Sequence, residues 1–278
     1  MIRALAIIAV TGFLLCVLCI GGAAGLVGQS FARGDTHSKW FSGDGLNFNG
    51  GSGPVVELDA TGAQSSRQIA WNGSDKLTIN VPAEVTYTQG QSSGVSITGP
   101  STIVDRIDVE GGEISLRGVR SRNFRGNAKV VIAVTAPAVN QFEFNGAQKV
   151  EIRNYDQDRL EIQVNGAGDI KGAGHARSLN LELNGASKVD MTSLALENAD
   201  IQMNGASDVT AAPTESADVE INGVGQANLL GQPKSLNRSV HGLGSVNVRE
   251  RSSATPSPSP SPSASPSPPK GDAKAKTT

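Results

Sequence analysis

Two aspartates, Asp169 and Asp208, stand at equivalent positions of a repeated motif, with Lys188 at the same position between them. Paired carboxylates are the usual means of cleaving a glycosidic bond, at separations of about 5–5.5 Å or 6.5–9.5 Å. If the motif copies stack as neighbouring strands, these two acids lie two levels apart, roughly 9.6 Å. The intervening ammonium would hold both ionised, which suits a charge ladder better than an acid–base pair. A second set of acids, Glu57, Asp59, Asp105, Asp108, Glu110 and Glu113, lies upstream in strand-like sequence. A carbohydrate-active enzyme, a polysaccharide lyase or hydrolase on a β-helix scaffold, would need those to converge in a cleft.

Metal and thiol chemistry have little to work with. The histidines are His37, His175 and His241, without the close pairing of a zinc site. The two cysteines, Cys16 and Cys19, both fall in the N-terminal apolar run. "NGAGDI" resembles a calcium-binding nonapeptide only faintly, because the Asp alternates with Lys and the period is not nine. The expectation is no catalytic residue, no metal and no cofactor.

One basic cluster stands out. "LRGVRSRNFRGNAK" places Arg117, Arg120, Arg122, Arg125 and Lys129 in a short, turn-rich segment. Such a loop fits contact with anionic lipid headgroups or an acidic polysaccharide, and it fits a solvated loop as well. The 278-residue chain has a formal net charge of −2, so no global basic field points to nucleic acid.

The elements that must position these residues are repeats. Asn145, Asn165, Asn184, Asn204 and Asn222 head copies of an Asn-Gly motif, usually Asn-Gly-Ala. His241 continues the frame, with steps of 20, 19, 20, 18 and 19 residues. One residue before the Asn, every copy is apolar: Phe144, Val164, Leu183, Met203, Ile221 and Val240. Three before and five after are also apolar in most copies, and the residues between are polar. Period-two alternation predicts strands with one face buried, and a constant period predicts a stack of coils. Asn and Gly tolerate the left-handed backbone of a sharp corner, which assigns these asparagines as structural corner residues. A hairpin also uses Asn-Gly, but it needs no fixed period.

Outward columns support stacking. Four residues after the Asn the chain reads Lys149, Asp169, Lys188, Asp208, so opposite charges alternate from copy to copy. The predicted fold is all-β: a single-stranded β-solenoid, parallel β-helix-like, with coils of about 19 residues. The sixth copy, with His241 for Asn and Arg238 for an apolar residue, reads as a cap.

The predicted organisation has four parts. Residues 1–32 form a signal peptide or membrane anchor. Ala4–Ile20 is apolar and the stretch to Gly28 is uncharged, against roughly 20 residues for a bilayer span. Small residues at 22–24 and 30–32 keep cleavage open, so a transmembrane helix and a cleaved signal both remain. Residues 33–52 read as a flexible linker. Residues 53–250 read as the solenoid, irregular over 53–135 and regular over 141–250. Residues 251–278, rich in Ser and Pro, read as a disordered tail.

"LTINVPAEVTYTQGQSSGVSITGPSTIVDRIDVEGGEISL", followed by "APAVNQFEFNGAQKVEI" and the Asn-Gly-Ala copies, resembles the bacterial head GIN domain family. That family is also called the putative auto-transporter adhesin head domain. The resemblance covers about residues 55–250. It implies an exported, non-enzymatic, solenoid-like envelope protein. The self-secreting half of the family label finds no counterpart here, because no alternating strands of outer-membrane-barrel type precede the end of the sequence. The expected role is therefore binding or structural at the cell envelope, periplasmic or surface, membrane-held through residues 4–28 if uncleaved. Expected partners are an envelope glycan, an anionic lipid or another envelope protein.

Overall fold

The computed structural model describes residues 62–118 and 128–250, and the backbone of two short strands at 56–58 and 124–126. The predicted leader, linker and tail, with Arg120 and Arg122, lie outside the described residues. Among the described residues no helix is long and apolar enough to cross a membrane.

The protein is all-β. In chain order its strands are β1 (Val56–Leu58), β2 (Gln64–Ile69), β3 (Lys76–Ile79), β4 (Ala83–Gln89) and β5 (Gly94–Pro100), then a four-residue helix α1 (Ser101–Val104). There follow β6 (Ile107–Glu110), β7 (Glu113–Leu116), β8 (Phe124–Gly126), β9 (Val131–Ala136), β10 (Gln141–Leu230) and β11 (Ser235–Arg249). Among the described residues β1 pairs only with β8; the main sheet runs β2-β5-β9-β4-β10-β3-β7-β6, with β11 added to β10. β10 pairs with β3 through Gln141–Phe144 and with β4 through Gln148–Arg153, so the sheet bends nearly closed, like a barrel.

The 90 residues of β10 cannot be one straight strand, which would run to roughly 300 Å. They bend at the Asn-Gly corners, where Gly146, Gly166, Gly185, Gly205 and Gly223 have φ between +120° and +148°. The asparagines do not share that conformation. Among the described residues the non-glycine with positive φ is Asn154, outside the motif. The left-handed role expected of Asn therefore falls to Gly alone.

Between corners the apolar columns point inward. Phe142, Phe144, Ile162, Val164, Leu181, Leu183, Ile201, Met203, Val219 and Ile221 are all buried. Each such side chain contributes about 1.5–3 kcal/mol by leaving water. The aromatic residues collect at one end of this core. Tyr87 meets Phe142 edge-on at 5.0 Å, and Phe142 stacks on Phe144 at 6.2 Å.

Pairing along the repeat is parallel. β11 lies on Ser216–Leu230 with an offset of 19 residues, Asn222 opposite His241. β3 and β4 form the level beneath 141–153, also parallel. Beneath that level β7 pairs parallel with β3 and β9 parallel with β4, while other strands of 53–135 pair antiparallel. β2 and β5 pair antiparallel, as do β5 and β9. β6 and β7 form a hairpin whose turn, Gly111-Gly112, has both φ positive, the pattern that a tight two-residue turn requires.

Candidate functional site: the ladder face and a polar groove

The corner glycines set the distance between levels. A Cβ at Gly205 would lie 2.3 Å from the carbonyl oxygen of Gly185, and one at Gly185 would lie 2.0 Å from that of Gly166. Only a residue without a side chain permits such approach.

That closeness brings the asparagine side chains into a row. Asn145 Nδ2 donates to Asn80 Oδ1 at 2.8 Å, Asn165 to Asn145 at 3.0 Å, and Asn184 to Asn165 at 3.1 Å. Asn204 donates to Asn184 at 3.0 Å and Asn222 to Asn204 at 3.1 Å. The second amide hydrogen goes to the residue two positions earlier, Glu143, Glu182 or Glu220, at 2.7–3.0 Å. Asn80 closes the row by donating to Glu113 at 2.7 Å. The row ends at His241, whose Nε2 lies 3.1 Å from Ser239 Oγ.

Inside the corner, three residues after each Asn, sit Gln148, Ser187 and Ser207, all buried. Gln148 Nε2 donates to the carbonyls of Val81 and Asn145 at 3.1 and 3.0 Å. Ser207 Oγ accepts from the Ser187 N–H at 3.2 Å. Gln148 and Ser207 tie the bend to its neighbouring level, whereas Ser187 Oγ and Gln148 Oε1 are buried without a hydrogen-bond partner among the described residues.

The charge column lies on the outer surface. Glu84, Lys149, Glu151, Asp169 and Lys171 line a shallow depression of about 290 Å³. The Glu151 carboxyl is held below the usual range, first by its hydrogen bond to Arg153, with Arg153, Lys171 and Lys149 adding charge. Asp208 accepts from the Gln226 N–H at 3.2 Å.

A larger groove, about 400 Å³, crosses the levels on another face. Six residues before each corner it is lined by Arg159, Ser178, Asn198, Ser216 and Ser235. Four before, Asn180, Asp200, Asp218 and Asn237 line it. Between them Leu179, Ala199 and Ala217 also line it, with their side chains buried on the core side. Several lining groups are already engaged: Ser216 Oγ donates to Asn198 Oδ1 at 2.7 Å, and Asn237 Nδ2 to Asp218 Oδ2 at 3.2 Å. Five levels at the strand spacing make a track of roughly 20 Å. What it can do is hold an extended ligand through repeated hydroxyl, amide and carboxylate groups. Nothing in the types of these residues marks a groove in the sequence.

The basic cluster is only partly described. Arg117 faces Asp108 at 3.5 Å and Lys129 faces Glu84 at 3.0 Å, both on the surface. Arg125 lies in β8, opposite Glu57 of β1. The upstream acids are placed separately. Asp105 caps α1, Glu110 and Glu113 face each other across the hairpin, and Asp59 lies outside the described residues. His175 lies 3.3 Å from Asp156. Among the described residues no group of three or more His, Cys, Asp or Glu could hold a metal ion.

Fold and surface together define an all-β domain whose motif copies lie in parallel register, with polar rows on its outside. The chain belongs to the family described as "Putative auto-transporter adhesin, head GIN domain", whose model matches residues 74–233. No curated protein matches it. Among solved structures it is similar to a "putative adhesin" from Bacteroides fragilis, with 22% identity and a TM-score of 0.55, over 69% of this chain and 100% of that one. A "putative adhesin" and a "putative lipid binding protein" from Parabacteroides distasonis align at TM-scores of 0.46 and 0.43, with 13% and 16% identity. Each covers 70% of this chain and 100% of its own.

Proposed function

We propose that this chain is an exported, non-catalytic binding module of the cell envelope, adhesin-like, built as a β-solenoid. Its groove takes an extended, neutral, hydroxyl-rich polymer such as an envelope glycan. The observation that carries this reading is the groove itself: equivalent positions of four successive copies supply its Ser, Asn and Asp lining, and the copy before them adds Arg159 at one end. A ligand with its own regular spacing meets the same groups at each level. Asp200 and Asp218 disfavour a polyanion there, which separates this face from the basic loop at Arg117–Lys129. Residues 4–28 hold the module at the membrane if they are not removed.

The test is retention on a panel of neutral and acidic envelope polysaccharides. The parent chain should bind a neutral polymer, and Asn198→Ala with Asp218→Ala should weaken it at least tenfold while the far-UV spectrum is unchanged. A parent chain that binds no neutral polymer would sink the groove reading. Protease accessibility on whole cells, with sequencing of the native N-terminus, tests the exported surface location.

A further inference from the structure

β11 is an edge. Among the described residues it pairs with β10 alone, and the large apolar side chains that stand exposed all belong to it: Val240 at 38%, Leu243 at 76% and Val248 at 41%. The partners of Val240 and Val248 one level down, Ile221 and Leu229, are fully buried, and that of Leu243, Val224, is half-buried. The last copy thus keeps most of the apolar columns of the stack, with Arg238 in place of one apolar residue between Leu236 and Val240. An unpaired, apolar strand edge invites a further strand.

We propose that the occupant is the chain's own Ser-Pro segment, which adds to the Ser235–His241 arm of β11 as one edge strand. The segment has strand periodicity. Odd positions carry hydroxyls, at Thr255, Ser257, Ser259, Ser261, Ser263, Ser265 and Ser267. Even positions carry Pro256, Pro258, Pro260, Pro262, Ala264, Pro266 and Pro268. In an extended strand, successive residues send both side chain and N–H to opposite sides. Every serine N–H therefore falls on one edge, and every proline ring on one face. The serine edge can complete hydrogen bonds to β11, in the strand direction that turns the rings over Leu236 and Val240. The opposite edge has almost no N–H to offer, so the sheet stops there. Each proline also restricts the residue before it to extended backbone, which lowers the entropy cost of pairing.

The segment cannot be one more copy. Each corner needs a glycine at strongly positive φ, such as Gly223 and Gly242 at +148° and +139°. Residues 255–268 contain no glycine, and proline is fixed near −65°. Only a straight strand on one arm is open to it. Glu250–Ala254 is the connection, a length ordinary for loops between elements.

Hydrogen exchange of the full chain tests this, against a chain ending at Glu250 and against a full-length variant carrying Ser257→Pro, Ser259→Pro, Ser261→Pro and Ser263→Pro. The four substitutions remove the donors but keep the length and an extended backbone. Amides of 235–241 should exchange roughly tenfold more slowly in the parent than in either variant, with exchange in 141–230 unchanged. Equal exchange in parent and truncated chain overturns the proposal. So does a proline variant that protects as well as the parent, because simple shielding would then suffice. Protection that disappears on dilution identifies a second copy as the occupant and overturns it too.

Discussion

Gly146 and Gly205 occupy the same motif position, both with strongly positive φ, at +120° and +139°. They differ in what lies beneath them. A Cβ at Gly146 would meet only the end of the Gln148 side chain, at 3.5 Å. At Gly205 it would meet the backbone oxygen of Gly185 at 2.3 Å. Replacing each by Ala therefore separates conformational strain from loss of stacking. The strain is common to both, about 1–3 kcal/mol. Relieving the overlap at Gly205 requires the two levels to part by roughly 1 Å, since carbon and oxygen pack no closer than about 3.2 Å. That stretches the bond from Asn204 to Asn184, now 3.0 Å, and the backbone bonds beside it. With two or three bonds lost at about 1 kcal/mol each, Gly205→Ala should cost roughly 2–3 kcal/mol more than Gly146→Ala. Urea unfolding at matched m-values reads the difference directly. Equal losses within about 0.5 kcal/mol would refute the claim that glycine is there for the approach of levels.

Asn184→Asp keeps shape but removes both donors, leaving a carboxylate against Asn165 Oδ1 and Glu182. The loss should be about 2–3 kcal/mol at neutral pH. The new carboxyl's folded-state pKa lies above its unfolded value, so in urea melts stability should return as pH falls from neutral through that raised value and be complete by about pH 4, and a flat profile would count against the row. The chain's two tyrosines, Tyr87 and Tyr155, are both buried, and burial pushes Tyr87 up to about 12 and raises Tyr155 as well. Their contribution is fully present below about pH 10 and falls by up to about 1.4 kcal/mol per pH unit per tyrosine as pH rises further. Tyrosinate absorbance should therefore appear only together with unfolding; ionisation in the folded protein near pH 10 would contradict the burial. Replacing Arg117, Arg120, Arg122 and Arg125 by Gln should abolish any retention on heparin or anionic vesicles. Unchanged retention would remove the loop as an anion site.

Much of the fold was legible because it is periodic. The steps of 18–20 residues and the alternating columns follow from what a strand must bury, and the hydrogen bonds between Asn145, Asn165, Asn184, Asn204 and Asn222 have those same steps. The reason for the asparagines was not legible. Propensity suggested a backbone role, whereas the side-chain amides bond between levels, a use visible only once the levels are in register. Asn80 heads that row from "NVP", without Gly or Ala. The antiparallel strands before β10 alternate as the parallel ones do, so their pairing direction left no trace beyond Gly111-Gly112. The groove stayed hidden for a different reason: its lining is the ordinary polar alternation of outward strand positions, and no residue type in it sets a groove apart.

The asparagine row also has a sign. From Asn145 to Asn222 every amide donates toward Asn80, so the individual dipoles add, as peptide dipoles do along a helix. The positive pole ends on the carboxylate of Glu113, and the negative pole faces His241 across the register. These are the residue types that cap the two ends of a helix, used here on a row of side chains. A copy duplicated or deleted in the middle leaves both poles untouched and creates no unpaired amide. The length of such a protein is thus free to change by whole copies, while its two ends keep their chemistry.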